Sequence, residues 1–112
     1  MLTNNLIYSH SVGIYGRATS SVRLYNTLFH ANAKDIQAYG DITSTNTITG
    51  EDPRLDANYH LLAGSPAIDA GADVGVMVDI DGDPRPTGAG FDIGADEIGW
   101  RTVFLPLVIS TP

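Results

Sequence analysis

Cysteine is absent from this chain, lysine occurs once, at Lys34, and tryptophan once, at Trp100. Without cysteine there is no thiolate metal site, no thiol nucleophile and no disulfide framework. Bases of either kind number six and are scattered. Phosphate binding needs them clustered, so nucleic acid is not an expected partner. Long apolar runs are missing too. The longest, "VFLPLVI" at 103–109, has seven residues and contains Pro106, whereas a membrane-spanning helix needs about 20. The opening "MLTNNLIYSHSVGIYG" has neither the basic region nor the uninterrupted apolar region of a signal peptide. At 112 residues the chain suits one domain with one core.

Acidic residues are plentiful and unevenly placed. Asp69, Asp73, Asp79, Asp81, Asp83, Asp92, Asp96 and Glu97 share their segment with a single base, Arg85; elsewhere acids and bases cancel, so the net charge of −7 belongs to the C-terminal third. Cations are the partners such a segment favours.

Reading every second residue from the start gives Met1, Thr3, Asn5 and Ile7, the alternation a half-buried strand requires. The same order returns at Val22, Leu24, Asn26 and Leu28, and again at Ile42, Ser44, Asn46 and Ile48. A second aliphatic position, Ile14, Ile36 or Leu55, follows each Asn after nine or ten residues. A period near twenty, in β-favouring units too small to bury a face alone, points to stacked repeats with one core. The fold expected is all-β: a right-handed parallel β-helix of about three terminal turns. Asn5, Asn26 and Asn46 are expected in one structural ladder, since Asn tolerates the left-handed backbone of a tight corner and its amide can both donate and accept. Ile7, Leu28 and Ile48 would form an inward stack. Tyr8, Phe29 and Thr49 would lie on the outer side, as sugar-stacking platforms or ordinary half-exposed strand residues. Three unrelated strands of a sandwich are the alternative.

Periodicity ends after Leu55. Seven Gly and three Pro between Pro66 and Trp100 argue for successive turns, and a stack of repeats needs its last open edge covered. Residues 1–62 are therefore read as the repeats, 63–100 as a Gly/Pro/Asp-rich C-terminal cap of the same domain, and 101–112 as a strand or tail, with Val103–Ile109 packing on its own domain. Because Met1 already occupies a strand position, the chain is expected to be the C-terminal piece of a longer stack.

The segments "EDPRL", "NYHLLAGSPAIDAGADVG" and "DIDGDPRPTGAGFDIGADEIG" resemble the C-terminal end of bacterial choice-of-anchor Q domain proteins, within the pectate-lyase-like superfamily. The resemblance covers residues 51–97 in order and spacing; upstream repeats match in type alone. It implies a secreted or cell-surface β-helix protein with no defined activity of its own. A non-enzymatic structural or adhesive terminal module follows, with surface polysaccharide or other surface proteins as partners. The alternative is the C-terminal fragment of a polysaccharide lyase or hydrolase whose active site lies on further repeats. The tail "RTVFLPLVISTP" lacks the sortase pattern despite Leu105–Pro106.

Enzymes of that superfamily place carboxylates, calcium and a basic residue on one outer face. The candidates here are Arg17, Arg23, Lys34, Asp35, Arg54 and Asp56. If Leu55 stacks under Ile36, Arg54 meets Asp35 as a surface pair, so no catalytic residue is assigned. His10, His30 and His60 lie in polar contexts, and Ser65 lacks a nucleophile's strained turn. No cofactor is required, though calcium is possible at Asp79, Asp81, Asp83 and Asp92. An EF-hand loop counted from Asp79 would need Gly and a bidentate Glu where Pro84 and Gly90 stand. The simpler expectation is a set of turns whose Asp side chains accept local N–H groups while Arg85 pairs with a carboxylate.

Overall fold

The structure, a computed structural model, describes residues 1–98. The expected tail at 101–112 lies outside them. Among the described residues every strand is short and none is followed by a helix, and no helix is long and apolar enough to cross a membrane. Eight strands form: β1 Leu2–Thr3, β2 Leu6–Tyr8, β3 Val12–Gly16, β4 Ser21–Tyr25, β5 Leu28–His30, β6 Lys34–Ala38, β7 Asp41–Thr45 and β8 Ile48–Thr49. Each pairs in parallel with the strand three places along, giving sheets β1-β4-β7, β2-β5-β8 and β3-β6.

Register corrects the first repeat by one residue. Leu2 lies opposite Leu24 and Leu6 opposite Leu28, which aligns Asn4, and not Asn5, with Asn26; Asn46 follows in the third repeat. Asn4, Asn26 and Asn46 have φ of 60°, 49° and 54°, so all three take the left-handed corner between the first sheet and the second. Asn5 instead lies beside Thr27 and accepts the Leu28 N–H through its own carbonyl at 2.9 Å. A second corner repeats similarly at Ser9 and Ala31, with φ of 62° and 55°. At the third corner the repeats differ in length: Arg17–Ser20 in the first is answered by Tyr39–Gly40 in the second.

Both faces of the β2-β5-β8 sheet are covered. Successive strand residues point to opposite faces, yet Leu28 and Phe29 are both fully buried. Phe29 looks toward β3, where a side chain on Gly13 would meet Ile7 at 3.2 Å and Phe29 at 3.4 Å. Glycine there makes the close approach possible. Leu28 looks the other way, into a cluster with Leu61, Ala67 and Ile93, flanked by Leu6 and Ile48. The row expected as Ile7, Leu28 and Ile48 is thus Leu6, Leu28 and Ile48, and it faces the C-terminal segment. Tyr8, Phe29 and Thr49 share no outer row either, because Tyr8 opposes His30 while Phe29 opposes Ile7 and Thr49.

The Gly/Pro/Asp-rich segment lies along the side of the sheets. Ala72 exchanges two hydrogen bonds with the Asn4 side chain, donating at 2.8 Å and accepting at 2.6 Å; the Asn26 amide donates to the Ala70 carbonyl at 2.9 Å; and the Gly94 N–H donates to the Asn4 carbonyl at 2.8 Å. The Asn4 and Asn26 amides therefore bind this flank. The edge strand β7 stays exposed at most positions. Within the flank, the Gly71 N–H reaches the Phe91 carbonyl at 2.8 Å, and a Cβ on Gly71 would stand 2.7 Å from the Asp92 carbonyl oxygen.

Candidate functional site

Three stretches of the flank converge: 56–61, 79–83 and 92–97. Asp79 organises the middle one. Its Oδ1 accepts the N–H groups of Asp81 and Asp83, both at 2.9 Å, and its Oδ2 accepts that of Glu97 at 2.9 Å. Burial works against the charge, but the donors from Glu97, Asp81 and Asp83 outweigh it and hold the carboxyl below the usual range. The sequence "DIDGD" turns sharply because Gly82 supplies φ of 79° and the Gly82 N–H closes back on the Asp79 carbonyl at 3.1 Å.

The stretch "DIGADE" sends Ile93 into the apolar cluster and buries Asp92, Asp96 and Glu97. Asp92 accepts from the Asp69 N–H at 2.8 Å and the Ile98 N–H at 2.7 Å. Burial pushes its carboxyl up to about 6, against the pull of those two donors. Glu97 accepts from the Arg85 Nε at 3.0 Å and from the backbone of Thr87 and Asp92, both at 3.2 Å. The guanidinium also donates to the Asp92 carbonyl at 2.9 Å and lies 5.9 Å from the centre of the Phe91 ring. Arg85 is thus the internal counter-charge of the segment.

Asp96 accepts the Leu61 N–H at 2.8 Å. Burial raises its pKa, and a side-chain hydrogen bond with Asp79 raises it further while lowering that of Asp79. Beside them, His60 Nε2 lies 2.7 Å from Asp81 Oδ2, and His60 Nδ1 lies 3.5 Å from Asp56 Oδ1. Partial burial disfavours the imidazolium, but Asp81, with Asp96 and Asp56, more than offsets it and the His60 pKa is raised. A cleft of about 120 Å³ opens next to this cluster, between Leu6, Tyr8, Tyr59 and Asp96.

Of the four expected calcium ligands, Asp79, Asp81 and Asp83 come together, with oxygens within 4.8 Å of one another. Asp92 does not join them; its two oxygens accept the Asp69 and Ile98 N–H groups. His60 and Asp96 take its place around Asp81, again within 4.8 Å. Neither was singled out from the sequence as a partner of the loop. The "DIGADE" pattern hints at Asp96, since an acid two residues after a Gly beside a buried Ile sits in a turn against the core; His60 has no such signal.

Two of the outer-face candidates, Asp35 and Asp56, are engaged by near neighbours in sequence. Asp35 accepts from the Asn32 side chain at 3.0 Å, and Asp56 accepts from the Asn58 and His60 N–H groups at 2.8 and 3.0 Å. Leu55 bridges to Leu61 and does not stack under Ile36, so Arg54 is not brought beside Asp35 in the way its spacing suggested. Ile36 pairs with Ile14. Comparison with protein-family models, curated proteins and solved structures finds no match to this chain.

Proposed function

We propose that the chain is a non-enzymatic terminal module of a right-handed parallel β-helix protein of the choice-of-anchor Q kind, secreted or displayed at a cell surface, where it supplies rigid length. The three parallel sheets are read as the walls of the helix and the acidic segment as a brace along one wall. One observation carries this reading: the buried carboxylates of the segment are engaged by backbone N–H groups and by Arg85, and these bonds hold the segment folded. Surface polysaccharide or other surface proteins are the proposed partners. Incubation with acidic and neutral glycans is expected to yield lyase and hydrolase products at background level. Turnover that disappears in Lys34→Ala or Arg54→Ala would overturn the proposal.

A second reading has its own observation, the grouping of Asp79, Asp81 and Asp83 within 4.8 Å. Calcium takes six to eight oxygens on a flexible loop, and this loop offers the start of such a shell. If calcium binds here, melting temperature rises saturably with added calcium and the rise is lost in Asp81→Asn. An unchanged melting temperature at millimolar calcium leaves the loop with its structural role alone.

A further inference from the structure

His60 Nε2 and one oxygen each from Asp81 and Asp96 lie within 4.8 Å of one another, although the three residues are far apart along the chain. Backbone contacts fix each of them. Asp96 Oδ2 accepts the N–H of Leu61, next to His60, at 2.8 Å; Asp79 Oδ1 accepts the Asp81 N–H at 2.9 Å; and Asp56 Oδ1 accepts the His60 N–H at 3.0 Å. The imidazole sets this group apart from an acidic loop, because its two nitrogens face different partners. Nδ1 lies 3.5 Å from Asp56 Oδ1, while Nε2 is turned to the other side, 2.7 Å from Asp81 Oδ2. Metal-ligating histidines are oriented in this way: a carboxylate takes the far ring N–H, fixes the tautomer and aims the other nitrogen at the ion.

Charge points in the same direction. Arg85, the one base between Asp69 and Glu97, is engaged by Glu97 and by the Asp92 carbonyl. Three carboxyls, those of Asp56, Asp81 and Asp96, act on the one imidazole. We propose that His60 Nε2, Asp81 and Asp96 bind a divalent transition-metal ion of the zinc class, with Asp56 as a positioning residue behind the ring. Imidazole together with carboxylates suits zinc and its neighbours, and three protein ligands leave a fourth position for water. The ion would take the place of the proton between Nε2 and Asp81. Zinc holds such ligands at about 2.0–2.2 Å, which sets tetrahedral neighbours about 3.3–3.6 Å apart, so the close pair opens by under about 1 Å and the others close by at most about 1.5 Å. His60 and Asp81 have the freedom to move, their side chains being 31% and 45% exposed. Calcium on the 79–83 loop would be a different occupant, since it takes oxygen ligands and has no use for the ring.

The test uses the full chain, freed of metal by a chelator and titrated with Zn²⁺ in a calorimeter. One equivalent is expected to bind saturably, and His60→Gln and Asp81→Asn should each weaken binding at least about tenfold, while His10→Gln and His30→Gln leave it unchanged. Circular dichroism of each metal-free variant checks that it folds. Calcium in excess over zinc is expected not to displace it. No saturable uptake at about 0.1 mM Zn²⁺ overturns the proposal, as does uptake that His60→Gln leaves unchanged. Nitrogen-15 NMR of the histidine rings in the unsubstituted chain gives a reading that needs no variant. On adding Zn²⁺ the His60 Nε2 resonance is expected to shift while Nδ1 keeps its proton; a shift confined to His10 or His30 overturns the proposal.

Discussion

Arg85 is the residue on which the acidic segment depends most. Its side chain and that of Glu97 are almost wholly buried, and the two meet at 3.0 Å. Burying such a pair gains little by itself, but removing one partner leaves a buried charge uncompensated, which costs about 3–5 kcal/mol. Arg85→Ala is therefore expected to destabilise the protein by about that much in urea unfolding at neutral pH. Glu97→Gln in the same background should recover part of the loss, because it removes the stranded charge. That Arg85 pairs with an acid was legible in the sequence, as the one base among eight acids. Which acid was not, because Asp79, Asp81, Asp83, Asp92, Asp96 and Glu97 are all near it in sequence and only folding decides which of them loses water.

The corners are where element and sequence agree most closely. Asn4 and Asn26 each do two things: they accept a left-handed backbone, and they hold the flank through Ala72 and Ala70. Asn4→Gly keeps the first role and loses the second, so a loss of about 1–3 kcal/mol is expected from two hydrogen bonds at net values near 0.5–1.5 each. Asn4→Ala also strains the backbone and should cost about 1–2 kcal/mol more. Equal losses for the two variants in urea unfolding would show that the corner conformation matters little. The adjacent pair Asn4–Asn5 explains the one-residue difference in register. Strict alternation from Met1 selects Asn5, whereas the spacing of ten residues to Ile14, matched by Asn26 to Ile36, selects Asn4. Pairing followed the second pattern, because a corner residue must recur at the same distance from the next strand, while side-chain alternation resets at each corner.

At the scale of the molecule, the middle sheet is the shared wall between two apolar packings. Phe29 belongs to the side facing β3 and Leu28 to the side facing the flank. Leu28→Ala should cost about 2–5 kcal/mol, and Ile93→Ala a similar amount from the opposite side of the same cluster. Since the two side chains share one cavity, the double variant is expected to lose less than the sum of the single losses. Phe29→Ala combined with Ile93→Ala should instead add, because a sheet separates them. Additivity in both pairs would remove the assignment of Leu28 to the flank.

Local and periodic features were determined by the sequence alone: β-favouring segments, a repeat near twenty residues, Asn at a corner, and a turn-rich acidic segment whose Asp side chains bond nearby N–H groups. These depend on interactions between residues a few places apart or on one repeated spacing, and such information is carried by order along the chain. Tertiary structure decided the rest. Strand pairing chose Asn4 over Asn5 and Leu6 over Ile7, and the apolar outer row it produced, Leu6, Leu28 and Ile48, drew the acidic segment to the side of the sheets. Only then did His60 and Asp96 reach Asp81 while Asp92 turned away. A face that is apolar on both sides of a sheet has no period of its own to read; its second covering is set by which distant segment can bury it and still satisfy its own backbone.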